Sequence, residues 1–358
     1  MLLFLSALLS AVRLALGASC SCSATSIPVH VDALVPKDPT DMFAGLKSNT
    51  SSLRRVDATY DIYGVFCQPE GVSSDTVQIL VHGITYTSQY WSPPVEEFRN
   101  YSYAAFACNE GLPSLAIDSL GVGLSTRPAN ASDVQFPTAS QAISQLARHL
   151  KTTPILPGAR AFKNVVGIGH SAGSATLNFG AVSEGRDSPF DALVLTGSLS
   201  VAAGTLPPVN QFGSPARDVE PLRWAGLDPD YITDTDRGLF YPPNTNSFSS
   251  RMLAFDNFTK DVGTIGIFAQ TPVTSLGNQF TGNVVKIVGS EDQLFCVGTG
   301  RCADVPTLVA SERVLWPDAK SFDVVIVNGS GHDLNLDFFA LKAFDTFVGF
   351  VQQFSSGT

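Results

Sequence analysis

Ser171 lies at the centre of a Gly-x-Ser-x-Gly motif whose outer positions are Gly169 and Gly173. Residues 164–168 before the motif, mostly apolar, are typical of a short buried strand, and the small, apolar residues 172–182 are typical of a helix. A serine on the tight turn between a strand and a helix stands above the sheet, where a base can remove its proton. The motif therefore predicts that Ser171 is a nucleophile for acyl transfer.

A base and an acid follow this serine in the chain. His332 is the one histidine after the motif, and it comes after a strand predicted over residues 323–327. Asp292 comes after a strand predicted over residues 283–288, with Glu291 beside it as a rival acid. Because the carboxyl ends of parallel strands meet at one edge of a sheet, we expect these groups to share a site. We predict His332 as the base, with Asp292 or its neighbour Glu291 as the acid that orients its imidazole.

The remaining pattern divides the chain into a core and additions to it. Strand and helix patterns alternate over residues 57–199 and return over residues 283–358, which predicts an α/β core with a mostly parallel sheet. Residues 18–56 have no clear periodicity and are expected to form an N-terminal arm. Residues 200–282 are rich in proline, glycine and aromatic side chains, and they are too many for a plain loop. We therefore predict an insertion there.

The N-terminus and the sequons indicate a secretory route. Residues 1–17 are typical of a signal peptide, with an apolar run followed by small residues before Ala18. Sequons for N-glycosylation occur at five positions: Asn49, Asn100, Asn130, Asn257 and Asn328. The net charge of −10 makes nucleic acid and anionic membranes poor partners. We expect a secreted glycoprotein without a stable membrane anchor, and its oligomeric state stays open.

An even number of cysteines in a chain expected to be secreted predicts disulfide bonds. There are six: Cys20, Cys22, Cys67, Cys108, Cys296 and Cys302. The last two lie close together in one loop and are expected to pair. One of the first two is expected to tie the N-terminal arm to one of the middle two. Zinc is the alternative, but Cys-x-Cys without a nearby histidine pair has poor ligand spacing, so we predict no metal or cofactor.

Two more motifs complete a resemblance. Val81-His82-Gly83 follows a predicted strand, and residues 116–128 read AIDSLGVGLSTRP. With these motifs the chain resembles the α/β-hydrolase-fold serine hydrolases over residues 60–354. Its signal peptide, cysteines and sequons are similar to those of the secreted fungal members. The resemblance implies a mostly parallel sheet flanked by helices, and a cap or lid inserted over residues 200–282.

The resemblance also implies roles for individual residues. The backbone N–H groups of Ile84 and Ala172 would form the oxyanion hole. The family's spacing after the strand favours Asp292 over Glu291 as the acid. Asp333 is expected to cap the start of the C-terminal helix. Substrate contacts are expected from a run of aromatic residues after the oxyanion loop, with packing against the cap as an equal alternative: Tyr86, Tyr90 and Trp91.

Together these observations predict a secreted serine hydrolase. Its substrate would be a small, fairly apolar carboxylic ester or lactone, cleaved through an acyl-enzyme intermediate. Epoxide hydrolases and dehalogenases of the family place aspartate where this chain has Ser171, so the resemblance disfavours their chemistry. An acyltransferase or amide hydrolase of specialised metabolism stays open as an alternative. A non-catalytic binding protein on the same fold is the alternative from another class.

Overall fold

A computed structural model describes residues 19–41, 50–200 and 213–356. Eight strands form its main sheet: β1 (Cys20–Pro36), β2 (Leu53–Pro69), β3 (Thr76–Val81), β4 (Ser114–Ile117), β5 (Asn164–His170), β6 (Ala192–Thr196), β10 (Asn283–Gly289) and β11 (Ser321–Val327). Their order across the sheet is β1-β2-β4-β3-β5-β6-β10-β11. Strand β2 pairs antiparallel with β1 and β4, and the other neighbours are parallel. The predicted fold class is confirmed.

Nine α-helices lie within the described residues. They are α1 (Tyr103–Asn109), α2 (Phe136–Thr152), α3 (Ala172–Glu184), α4 (Ala216–Val219), α5 (Pro221–Trp224), α6 (Ser250–Thr259), α7 (Ile265–Ala269), α8 (Val305–Arg313) and α9 (Ala340–Ser356). None of these helices is long and apolar enough to cross a membrane.

Alternate residues of the central strands pack into two different cores. Ile79 of β3 lies in the core under α2 and α3, whereas its neighbour Leu80 lies in the core under α1 and α9. This period of two, with apolar residues at both phases, is typical of a sheet that helices cover on both faces. Helix α9 contributes Phe344, Phe347 and Val351, which recur at the spacing of one helical face. The sheet is therefore held rigidly from both sides.

The N-terminal segment, predicted as an arm without clear periodicity, contains a long strand in its described part. Strand β1 pairs with β2 along 17 residues, from Cys20 opposite Pro69 to Pro36 opposite Leu53. Ile27, Val29 and Val31 point to the core, while the residues between them are exposed. That alternation is the signature of a strand with one buried face. The predicted signal peptide, residues 1–17, lies outside the described residues.

The predicted insertion contains strands as well as helices. Its described part, residues 213–282, holds helices α4 to α7 and a small antiparallel sheet of three strands: β7 (Gly213–Pro215), β8 (Tyr231–Asp234) and β9 (Gly263–Thr264). These short elements lie in the chain between β6 and β10, which are neighbours in the main sheet. The described part of the segment expected as a cap or lid thus combines helices and strands.

Three disulfide bonds join the described cysteines. Cys296 pairs with Cys302, as the sequence predicted. The two alternatives at the N-terminus resolve into Cys20–Cys108 and Cys22–Cys67. The second bond lies within the β1–β2 ladder, where the two cysteines are directly opposite each other. The first ties β1 to the end of α1, so both bonds anchor the edge strand to the core.

Candidate active site

Ser171 occupies the turn between β5 and α3 with backbone angles φ 50° and ψ −116°. A positive φ is unfavourable for a residue with a Cβ atom, and it persists only where the surrounding structure holds it. The adjacent glycines explain how the turn can close. A Cβ on Gly169 would lie 2.5 Å from the backbone nitrogen of Ser174, and one on Gly173 would lie 2.3 Å from the Val81 carbonyl oxygen. The turn therefore requires glycine on both sides of the serine.

The three residues predicted as nucleophile, base and acid come together. The Ser171 hydroxyl lies 2.9 Å from Nε2 of His332, and Nδ1 of His332 lies 2.8 Å from Oδ2 of Asp292. The other carboxylate oxygen of Asp292 accepts hydrogen bonds from the backbone N–H groups of Leu294 (2.8 Å) and Phe295 (3.1 Å). These bonds fix the carboxylate, so that Nδ1 of His332 carries hydrogen and Nε2 is free to accept the serine proton.

The histidine and its acid are both shielded from solvent. His332 is 1% exposed and Asp292 is 0% exposed. Burial opposes a positive charge on the imidazole, but the charge and hydrogen bond of Asp292 outweigh it and raise the pKa of His332. The site therefore favours the protonated form of His332 more than burial alone would. Glu291, the rival acid, is partly exposed, and its carboxylate lies 3.4 Å from the Ser290 hydroxyl.

The expected oxyanion donors, Ile84 and Ala172, lie beside the serine turn. Ala172 is the first residue of α3, and the first N–H groups of a helix have no partner within it. Within the described residues, neither the Ile84 nor the Ala172 N–H donates a hydrogen bond to another protein group. Two unused backbone donors next to a nucleophile are what an oxyanion hole requires.

His82 holds the peptide that presents the Ile84 N–H group. Its Nδ1 lies 2.7 Å from the Gly83 carbonyl oxygen, and its Nε2 accepts a 3.0 Å hydrogen bond from the backbone N–H of Ser119. Accepting at Nε2 leaves the hydrogen on Nδ1, and burial lowers the pKa of His82, which keeps it neutral. Because a trans peptide directs its C=O and N–H in opposite directions, anchoring the Gly83 carbonyl also orients the Ile84 N–H.

The next residue in this loop, Thr85, has φ 63°. A side chain of the insertion holds it in place through hydrogen bonds. Arg237 donates hydrogen bonds to the Thr85 carbonyl oxygen (2.8 Å) and hydroxyl oxygen (3.2 Å). The Arg237 side chain is 1% exposed. Sequence reasoning missed this arginine because it is a lone basic residue in an irregular segment. Its partner is 152 residues away, and no local pattern marks such a contact.

The aromatic residues expected at the substrate are buried. Tyr86 is 5% exposed, Tyr90 is 2% exposed and Trp91 is fully buried. Tyr90 stacks on His170 with ring centroids 4.3 Å apart, and Trp91 packs edge-on against Tyr90. None of the three lines the cavity beside the oxyanion donors. Their placement favours packing, the alternative that the sequence left open.

A second histidine–aspartate pair lies behind the first. Nε2 of His170 is 3.1 Å from Oδ1 of Asp333, and both side chains are buried. The prediction that Asp333 caps the C-terminal helix was wrong, because α9 begins seven residues later, at Ala340. Asp333 instead turns inward, where the His170 imidazole and the Tyr86 hydroxyl supply its hydrogen bonds. Adjacency to His332 was the only sequence signal for it.

A narrow, mostly apolar cavity opens beside the expected oxyanion donors. Ile84, Ala172 and Gly173 form the wall nearest the serine. Six further apolar residues line the cavity. They lie in the loop after β4, in or just before helix α2, and in the insertion, two in each: Leu120, Val122, Val134, Ala139, Val262 and Ile267. No cluster of three or more metal-ligating side chains occurs among the described residues.

Comparison with known proteins gives the family. A sequence profile described as the alpha/beta hydrolase family matches residues 78–342. A search of curated protein sequences finds no significant match. Among solved structures, an esterase from Exiguobacterium antarcticum has a TM-score of 0.54 at 17% identity, covering 82% of this chain and 96% of its own.

Two further solved structures have the same fold. An epoxide hydrolase from Vigna radiata has a TM-score of 0.52 at 15% identity, with 84% of this chain and 95% of its own covered. A peroxisomal alpha-beta-hydrolase from Saccharomyces cerevisiae has a TM-score of 0.51 at 14% identity, with 94% and 90% covered. At these identities the structures establish the fold alone. The profile match spans most of the chain, and the chain therefore belongs to the alpha/beta hydrolase family.

Proposed function

We propose that this protein is a serine hydrolase that cleaves a small, fairly apolar carboxylic ester or lactone. The observation that carries the proposal is the continuous chain of contacts from the Ser171 hydroxyl through His332 to Asp292, at 2.9 and 2.8 Å. A hydroxyl within hydrogen-bond distance of an imidazole that a buried carboxylate orients is the arrangement for nucleophilic acyl transfer. The unused N–H groups of Ile84 and Ala172 add the donors that the tetrahedral intermediate needs.

The reaction follows from these positions. Ser171 Oγ attacks the ester carbonyl carbon while His332 Nε2 takes the hydroxyl proton, and the carbonyl oxygen becomes an oxyanion. When the C–O bond to the leaving group breaks, His332 returns that proton to the departing alcohol. Water then repeats the sequence on the acyl-enzyme, with His332 as base, and releases the acid and free Ser171. The hydrogen bond from His332 to Asp292 stabilises the imidazolium in both halves of the reaction.

The choice of substrate class rests on the serine and on the cavity. The fold is shared by an esterase and an epoxide hydrolase of known structure. The resemblance implies an aspartate in the epoxide hydrolases where this chain has Ser171, which disfavours their chemistry here. The cavity beside Ile84 and Ala172 is narrow and mostly apolar, which suits a short acyl group. Gly263 lines this cavity, and a Cβ added there would lie 2.3 Å from the Ile84 side chain. We therefore expect Gly263→Ala to disturb turnover of every ester.

The test compares the native protein with Ser171→Ala and with Ser183→Ala, an exposed serine on the same helix. Each is treated with a fluorophosphonate probe and assayed on p-nitrophenyl esters of increasing acyl length. We expect labelling in the native and Ser183 variants and none in Ser171→Ala. Ester turnover in Ser171→Ala should fall by roughly 10⁵-fold or more. Short acyl groups should be preferred over long ones.

Folding is checked by circular dichroism, so that a lost signal reports chemistry rather than unfolding. A folded native protein that neither labels nor hydrolyses any ester would contradict the proposal and favour a non-catalytic role. Adding a short alcohol to the ester assay separates hydrolysis from acyl transfer. A transesterified product that dominates over the free acid would favour the acyltransferase alternative.

We also propose that the protein is secreted and glycosylated. Three disulfide bonds among the described cysteines support an oxidising compartment. Four of the five sequon asparagines, Asn100, Asn130, Asn257 and Asn328, are exposed. Expression of the full chain in a eukaryotic host should give enzyme in the medium that loses mass on treatment with an N-glycosidase. Retention in the cells at unchanged mass would contradict this.

A further inference from the structure

The hydroxyl oxygen of Tyr86 lies between two buried carboxyl groups. It is 3.1 Å from Oδ2 of Asp256, and it is hydrogen-bonded to Oδ2 of Asp333. A phenol carries one hydrogen, so it can donate to only one of the two carboxylates at a time. If both carboxyl groups were ionised, the Tyr86 oxygen would contact the second carboxylate with no hydrogen between the two oxygens. Both oxygens carry negative charge density, and the site is buried. Such an arrangement is costly.

The other donors around the two carboxyl groups are directed elsewhere. The Tyr241 hydroxyl donates to Asp256 Oδ2 at 3.1 Å, and Nε2 of His170 lies 3.1 Å from Asp333 Oδ1. Neither supplies the hydrogen missing between Tyr86 and the second carboxylate. A proton on one carboxyl group does supply it, since that group then donates to the Tyr86 oxygen while Tyr86 donates to the other.

The charges around this cluster also favour a bound proton. Nε of Arg237 is 3.5 Å from Asp256 Oδ1 and 3.5 Å from Asp234 Oδ2, and its guanidinium lies 4.0 Å above the Tyr86 ring. Arg237 thus forms ion pairs with two buried carboxyl groups. Among the described residues, Asp333 has no ion pair with a lysine or arginine, and its contact with a basic side chain is with His170. One guanidinium cannot neutralise three carboxylates, and an uncompensated buried charge is unfavourable.

The remaining ionisable groups packed around Asp333 supply no further permanent cation: Tyr90, His170, Asp292, His332 and Asp337. Burial lowers the pKa of His170 well below its usual range, so this imidazole is neutral. Burial also raises the pKa of Asp256 to about 7 and that of Asp333 to about 6. Both directions agree with the hydrogen count.

We propose that Asp256 and Asp333 hold one proton between them, shared through the Tyr86 hydroxyl, and that these three side chains are positioning residues for the active site. Tyr86 lies two residues after Ile84, Asp333 directly follows His332, and Asp256 lies on α6 of the insertion. The shared proton therefore joins the oxyanion loop, the histidine loop and the insertion at one point. Loss of the proton to solvent breaks one of the two contacts at Tyr86 and leaves two negative charges in place of one.

The consequence for catalysis rests on the proposed function. A second negative charge beside His332 stabilises its imidazolium and raises its pKa further. Because the base must be neutral to accept the serine proton, and because His332 and the cluster disfavour each other's protonation, the acid limb of kcat/KM in the native enzyme should be broader than a single-proton curve, whereas that of Asp256→Asn should follow a single-proton curve. In that variant the cluster keeps a single charge, on Asp333, and the asparagine N–H can donate to the Tyr86 oxygen. KM should change little, since no substrate contact is removed.

The direct test is infrared spectroscopy of the full chain, which needs no ester turnover. At pH 6, exposed carboxyl groups are ionised, so a protonated-carboxyl band reports buried groups. Native protein is compared with Asp256→Asn, Asp333→Asn, the double variant and the exposed control Asp218→Asn. A shared proton predicts that either single substitution removes the intensity of one protonated carboxyl and that the double variant removes no more. The control should match the native spectrum.

Each other result overturns the proposal. Losses that add in the double variant would mean two separate protons. A loss in only one single variant would assign the proton to that residue alone, and no loss in any variant would mean two ionised carboxylates. Burial also raises the pKa of Asp337 to about 7, so the native band alone does not report the pair. Should an asparagine variant fail to fold, Asp256→Ser or Asp333→Ser replaces it in the same comparison at pH 6. An inactive protein with the expected infrared result would contradict the proposed function and leave the shared proton intact.

Discussion

The guanidinium of Arg237 donates a 2.8 Å hydrogen bond to the backbone carbonyl oxygen of Thr85, the residue after Ile84. One buried side chain of the insertion thus holds the loop that presents the expected oxyanion donor. The same guanidinium is the cation for the carboxyl groups of Asp234 and Asp256. Its removal should therefore affect both the stability of the fold and the geometry of the oxyanion hole.

Arg237→Gln should lower the free energy of unfolding by about 3–5 kcal/mol, because it leaves buried carboxylates without their cation. At temperatures where the variant is folded, kcat should fall by up to about 10²-fold as the Ile84 N–H moves, with a smaller change in KM. Urea unfolding and steady-state kinetics measure the two effects. The control is Arg186→Gln, an exposed arginine paired with Asp318, which should be near native in both. A native kcat in a stably folded Arg237→Gln variant would mean that Arg237 does not position the Ile84 N–H for catalysis.

Asp292→Asn and Glu291→Gln together test which acid orients His332. A neutral amide in place of the Asp292 carboxylate would stabilise neither the correct tautomer nor the imidazolium, so kcat should fall by roughly 10³–10⁴-fold. Glu291→Gln should be within about twofold of the native enzyme, since partly exposed groups of this kind contribute little. Single-turnover kinetics with a p-nitrophenyl ester measure both. The reverse order of effects would identify Glu291 as the acid.

The activity should fall on the acid side of the pH profile as His332 gains a proton. Asp292 raises the pKa of His332 against the opposing effect of burial, so this loss begins at higher pH than for an ordinary histidine. Residual activity of Asp292→Asn should have its acid limb at lower pH, because the group that raises the pKa is gone. The measurement is kcat/KM between about pH 5 and 9. If the acid limb of Asp292→Asn stays at the native pH, a group other than His332 causes the loss of activity.

His82→Ala should lower kcat by about 10-fold to 10²-fold with little change in KM, because the Gly83–Ile84 peptide loses its anchor. Since burial keeps His82 neutral, the fold-reduction should be the same across the pH profile. The matched control is His30→Ala, an exposed histidine on β1. A pH-dependent loss would instead indicate that His82 carries a proton in the reaction.

Glu312 should make stability depend on pH at the acid end. It pairs with Lys286 at 2.7 Å, and both side chains are fully buried. Burial opposes its ionisation, but Lys286 and Ser200 outweigh burial and lower the pKa of Glu312 to about 2. A depressed pKa stabilises the fold above the usual pKa of 4.5, and the effect fades as the pH falls toward 2.

Glu312→Gln leaves the Lys286 ammonium buried without its partner and should cost about 3–5 kcal/mol of unfolding free energy at pH 7. The difference from the native protein should shrink below about pH 4.5. Urea unfolding at a series of pH values measures this, with Glu97→Gln as the control because its ion pair with Arg251 is exposed. A difference that is constant with pH would assign the loss to packing rather than charge.

The catalytic motif and its supporting strands could be predicted from local sequence because each depends on near neighbours in the chain. A strand, a turn flanked by Gly169 and Gly173, and a helix are determined by residues within about ten positions of Ser171. The approximate positions of Asp292 and His332 follow from the rule that sites form at the carboxyl ends of parallel strands. The Cys296–Cys302 bond was predictable because the two residues lie in one short loop.

Only the tertiary structure determined which residues pack behind the predicted Ser171, His332 and Asp292. Strand β1 was missed because one of its faces becomes buried only when its partner β2 is in place. Tyr86 and Asp333 turn into the core because Asp256 and His170, which are 170 and 163 residues distant from them in the chain, meet them there. Burial and long-range hydrogen bonding determine which polar side chains become buried partners. Neither is encoded in the spacing of neighbouring residues. The sequence pattern therefore located the residues predicted to react, and only the fold showed which residues hold them in place.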